Sequence, residues 1–89
     1  MKIYWNGKSK NIIGSRVRKL RQENGLTQKQ LAEKLQLQGY EFSDLTILRI
    51  EAGNRFVADY EVKALAGCFG ITADALLDEI ENSPIDGRE

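Results

Sequence analysis

The chain has no histidine and a single cysteine, Cys68, in 89 residues. The side chains that do most nucleophilic, acid–base and metal chemistry near neutral pH are therefore almost missing. No glycine-rich phosphate loop is present, and no set of side chains has metal-ligand spacing. The expectation is a protein that is not an enzyme, with no catalytic residue, metal, cofactor or evident small-molecule ligand. What remains available for chemistry is charge. Thirteen basic and thirteen acidic residues cancel, which by itself argues weakly against a nucleic-acid partner, because such domains are often basic overall. The distribution is lopsided, however. Residues 1–34 hold nine bases against two acids, and residues 59–89 hold eight acids against two bases. Such asymmetry points to a polyanion meeting the basic end; the alternative is a dipolar surface with no partner. The acidic half is explained as a solubility device that also limits non-specific binding.

These charges need a scaffold, and 89 residues suffice for one compact domain without crosslinks. Cys68 lies among Ala64, Leu65, Ala66 and Phe69, which reads as a buried structural thiol in a reducing, cytoplasmic setting. The apolar runs are far too short for a membrane span, and Met1 to Lys8 lacks the apolar segment of a signal peptide, so a soluble, unexported protein is expected.

With one proline and apolar spacings of three and four, the chain reads as all-α, a compact five-helix domain. Ile13, Val17 and Leu20 form one face of a first helix over 12–24, closed at Asn24-Gly25. Thr27 caps a second helix and Gln30 completes a capping box, with Leu26 and Leu31 as a hydrophobic staple; Leu31 and Leu35 face inward. Gln38-Gly39-Tyr40-Glu41 interrupts the pattern. Ser43 then caps a third helix that ends before Gly53, with Phe42 and Ile47 as its staple and Ile47 and Ile50 inward. Phe56 and Val57 are expected to fold back onto the core. A fourth helix from Asp59 buries Val62, Leu65, Ala66 and Phe69. Thr72 caps a fifth whose Leu76, Leu77 and Ile80 pack inward. The organisation expected is an N-terminal arm at 1–11, a helical domain at 12–81 and a tail at 82–89.

The run from Arg21 to Leu35, containing Gly25-Leu26-Thr27-Gln28 and Leu31-Ala32, followed by Ser43 to Glu51 and Gly53-Asn54-Arg55, resembles the Cro and phage-repressor (XRE-type) helix-turn-helix family over roughly residues 12 to 78. The resemblance implies a second helix that crosses a DNA backbone and a third that lies in the major groove. At the start of helix two, Gln28 combines a side-chain amide with free backbone N–H groups, a pairing suited to a phosphate oxygen, with Lys29 beside it; an ordinary exposed helix former is the plainer role for Gln28. The family's base-reading positions fall near Ser43 on Asp44, Leu45, Thr46, Leu48 and Arg49. Arg49 suits guanine, and Leu45 or Leu48 a thymine methyl. Asp44 either accepts from cytosine N4 or only stabilises the helix start. Asn54 and Arg55 match positions that hold neighbouring phosphates, with solvated loop polarity as the alternative. Arg21 and Glu51 match the family's structural salt bridge.

The departure from the family is a longer turn around Gln36 to Glu41, where Tyr40 or Gln38 could add a contact. Lys8 and Lys10 read as a basic arm or as a solvated terminus. The function expected is sequence-specific binding of double-stranded DNA by a homodimer, a transcriptional regulator of repressor type. The alternative is a protein-interaction module, an antitoxin or adaptor, prompted by Asp44, Leu45 and Leu48 on that surface.

Overall fold

The computed structural model describes residues 9–78. Five helices follow one another: α1 (Gly14–Glu23), α2 (Gln28–Leu37), α3 (Asp44–Glu51), α4 (Asp59–Cys68) and α5 (Ala73–Leu77), with no strand among the described residues. The fold is all-α. Helix α3 packs against α2 and α1, while α4 bridges α2 and α5. The shared core is built from Ile13, Val17, Leu31, Leu35, Ile47, Ile50, Leu65 and Leu76, each essentially inaccessible to water.

Local signals explain most helix starts. At α2 the Thr27 hydroxyl accepts from the Gln30 N–H at 3.0 Å and the Gln30 side chain returns a bond from the Thr27 N–H at 2.9 Å. Two of the donors that every helix start leaves orphaned are thereby satisfied. Helix α3 repeats the device with Ser43 and Thr46, and Thr72 caps α5 through the Ala75 N–H. Phe42 is buried beside Ile47 in the core, as the staple spacing expects.

Helix α1 starts two residues later than 12, and its cap lies further back. Asn11 Oδ1 accepts from the N–H groups of Gly14, at 2.8 Å, and Ile13, at 3.2 Å. The same amide donates through Nδ2 to the carbonyls of Ile50 at 3.1 Å and Arg55 at 2.9 Å. One side chain thus joins the beginning of α1 to the end of α3. The crossing is close because position 14 has no side chain: a Cβ on Gly14 would overlap the Ile50 carbonyl oxygen. The chain stays close on the other side too, where the Lys10 N–H donates to the Gly53 carbonyl at 2.8 Å. Gly53 has φ +77°, and a Cβ there would strike Ser9, so both its conformation and its neighbour call for glycine. Lys10 is therefore held by its backbone against the loop after α3. Lys8 and the rest of 1–8 lie outside the described residues, as do Ile80 and the tail at 82–89.

Four further expectations are corrected. Helix α2 continues past Leu35 to Leu37, which absorbs part of the long turn as helix; Leu37 is the most exposed large apolar side chain among the described residues, at 89%. Tyr40 then turns partly onto the core, while Gln38 donates to the Cys68 sulfur at 3.7 Å. Phe56 does not fold back. It is exposed, with the Lys10 ammonium 5.7 Å from its ring centre, and Val57 alone packs on the core. Leu77 is also exposed, because α5 has five residues and Leu76 takes its inward position; the next residue is rotated by about 100°. Cys68 is half-buried rather than sealed, and that burial raises its thiol pKa.

Candidate nucleic-acid interface

Helix α3 is amphipathic over its eight residues. Ile47 and Ile50 are fully buried, and the opposite side carries Leu45 and Leu48, which are 46% and 48% exposed, with Asp44 and Arg49. Spacings of three and four put Leu45, Leu48, Arg49 and Ala52 on one outward stripe. No hydrogen bond or ion pair holds the Arg49 guanidinium among the described residues. Among the described residues, no loop covers this stripe.

The remaining α3 candidates are engaged with their own helix. Asp44 Oδ1 accepts from the Leu45 N–H at 2.9 Å, which suits an acid in the first turn facing the positive end of the helix. Ser43 and Thr46 exchange capping bonds, and their hydroxyls lie 3.1 Å apart.

A cleft opens at each end of α3. The first is lined by Lys29, Ala32, Glu33, Gln36, Ser43 and Asp44, between α2 and the start of α3. The second is lined by Arg18, Arg21, Gln28, Leu48, Glu51 and Ala52, between α1, the start of α2 and the end of α3.

Two arginine–glutamate pairs frame this arrangement. Arg21 donates from Nε to Glu51 Oε2 at 2.6 Å and from Nη2 to Oε1 at 3.1 Å, and its Nη1 reaches the Leu26 carbonyl at 2.8 Å. Both side chains are largely buried, at 12% and 5% exposure. Gln28 joins them, donating from Nε2 to Glu51 Oε1 at 3.1 Å. One N–H of that amide is thus already used, while the first-turn backbone N–H groups of α2 still lack helical partners.

The second pair gives Arg55 a partner other than the phosphate its loop position suggested. Arg55 Nη1 and Nη2 meet Glu61 Oε1 and Oε2 at 2.9 and 3.0 Å, Nη1 also donates to the Phe56 carbonyl, and the guanidinium sits 5.8 Å from the centre of the Phe42 ring. The hydrogen bond from Arg55 holds the Glu61 carboxyl below the usual carboxylate range, against a desolvation that pushes it up, with the Ala58 N–H helping. Glu61 stands three residues after Ala58, so this is half a capping box: the alanine has no oxygen to complete it. Asn54, one residue earlier, is exposed and donates its backbone N–H to the Arg49 carbonyl at 2.8 Å.

The structure therefore brings Gln28, Lys29, Leu45, Leu48 and Arg49 to one side with the two clefts, and pairs Arg55 with Glu61. Sequence reasoning missed Asn11, Glu61 and Arg18. The available signals were an Asn three residues before Gly14, a Glu at the capping-box position of α4, and a base one turn before Arg21.

Residues 14–81 match the family described as helix-turn-helix domain. The chain belongs to that family. No curated protein and no solved structure matches it. The match begins at the first residue of α1 and spans α2 to α5, so the helix-turn-helix is α2, the turn from Gln38 to Ser43, and α3. Membership in the helix-turn-helix family carries nucleic-acid binding in general, and the open side of α3 is where such a domain presents its reading helix. No helix among the described residues is long and apolar enough to cross a membrane.

Proposed function

We propose that this helix-turn-helix protein is a sequence-specific, double-stranded-DNA-binding transcriptional regulator of the Cro and phage-repressor (XRE) type, a repressor acting in the cytoplasm, and not an enzyme. The observation that carries this is the outward stripe of α3, where Arg49, unpaired among the described residues, stands beside Leu45 and Leu48. Set into a major groove, Arg49 offers a bidentate pair to guanine O6 and N7, and the leucines offer contact to thymine methyls. Lys29 and the free N–H groups at the start of α2 seat the backbone, and Asn54 supports it from the loop. One such module covers only about 600 to 1,000 Å² of its own surface on DNA. Binding as a homodimer to a near-palindrome supplies the rest, in keeping with closed two-fold assembly.

The test is selection of bound duplexes from a random pool, followed by salt titration of the winner. A regulator enriches one motif and binds it with a steep salt dependence. Arg49→Ala then relaxes the preference at one base position by about 1 to 3 kcal/mol. The exposed leucines also favour a second reading, an antitoxin or adaptor module that docks a protein on the same side. Recovery of no motif from the pool removes the first reading and leaves the second.

A further inference from the structure

We infer that Arg18, on the exposed side of α1, binds a phosphodiester of the DNA backbone at the end of α3. This rests on the DNA-binding reading above and names one of its contacts.

Phosphate contact needs a donor that is not already satisfied, and the obvious candidates near this end of α3 are committed. All three guanidinium nitrogens of Arg21 are used, two by Glu51 and one by the Leu26 carbonyl. Both terminal nitrogens of Arg55 are used by Glu61. Gln28 spends one amide N–H on Glu51. In the cleft lined by Arg18, Arg21, Gln28, Leu48, Glu51 and Ala52, Arg21 and Glu51 cancel. The charge that remains is that of Arg18, which is exposed and one helical turn before Arg21.

The placement suits a duplex. Leu48 belongs both to this cleft and to the outward stripe of α3, so a groove occupied by α3 brings a backbone strand past the cleft's mouth. At the other end of α3 the corresponding cleft holds one exposed cation, Lys29, with the acids Glu33 and Asp44 beside it. One cation at each end matches a helix lying between two phosphate strands. The planar fork of arginine also matches phosphate oxygens, which a buried, carboxylate-bound arginine cannot offer.

The experiment compares the full chain with Arg18→Gln, Arg18→Lys and Arg55→Gln, each titrated with salt on the selected duplex and on an unrelated one. Arg18→Gln is expected to lower the slope of log affinity against log salt by about one, the change for one lost phosphate contact. It should weaken both duplexes by the same factor and leave the melting temperature unchanged. Arg18→Lys should restore the slope, and Arg55→Gln should leave the slope alone while lowering the melting temperature. A wild-type slope in Arg18→Gln, or a loss confined to the selected duplex, overturns the assignment of Arg18 while DNA binding stands. Failure of the wild type to retain any duplex overturns both.

Discussion

The two arginine–glutamate pairs use the same chemistry for different tasks. Arg21–Glu51 joins residues 30 apart in sequence and closes α1 onto the end of α3, whereas Arg55–Glu61 spans six residues and pins the loop after α3 to the start of α4. Both are two-pronged, but the first is nearly closed to water and the second leaves Arg55 a third exposed. The difference teaches that an arginine's role here is decided by which carboxylate its backbone places in reach. Arg21, inside the helical stack, locks the orientation of α3. Arg55, on a loop that resembles a phosphate-holding one, is drawn inward because Glu61 stands one turn into the next helix and needs a cation of its own.

Breaking the long-range pair should cost most. Glu51→Ala leaves Arg21 largely buried without its acceptor and is expected to destabilise by about 3 to 5 kcal/mol in chemical denaturation. A loss under 1 kcal/mol would mean that solvent already screens the pair. Next comes the crossing beside it. Gly14→Ala pushes a methyl into the Ile50 carbonyl, and an overpacking cost of about 1 to 3 kcal/mol should appear as a lower denaturation midpoint with an unchanged slope.

The short-range pair should be softer. Arg55→Ala is expected to cost roughly 1 kcal/mol, an exposed-pair value raised by the loss of bonds to a mostly buried carboxylate. A cost equal to that of Glu51→Ala would erase the contrast. The smallest effect is in pH. Because the Glu61 pKa is lowered by folding, the unfolded chain takes up this proton first as pH falls. The stabilisation is complete above the ordinary glutamate range near 4.3 and drains away below it. The stability gap between wild type and Glu61→Gln should therefore narrow below about pH 4, and a gap that widens on acidification would reverse the sign.

The sequence carries its local signals plainly and its distant ones poorly. Thr27 with Gln30 and Ser43 with Thr46 are legible because a cap is satisfied within three residues. The end of α2 is less legible, since Gln36 and Leu37 are good helix formers with no apolar face to mark them. The spacing of Asn11 from Gly14 signals a cap for α1, but not its bridge to α3, because its carbonyl partners lie 39 and 44 residues away. The pairing of Arg21 with Glu51 is reachable only through the family resemblance, and the same resemblance does not speak of Glu61, the partner of Arg55. Phe56 and Leu77 show the remaining weakness. Hydrophobicity names residues able to enter a core, but the core has room only for those whose backbone faces it.

The contact between Gln38 and the sulfur of Cys68 has a practical consequence. This is the chain's sole thiol, and it sits where the lengthened turn leans on α4, half-covered and held toward its protonated form. Its alkylation rate thus reads how closely that turn covers it. Slower labelling on adding a duplex would register a tighter cover at a point remote from any base, with no probe attached to the reading helix.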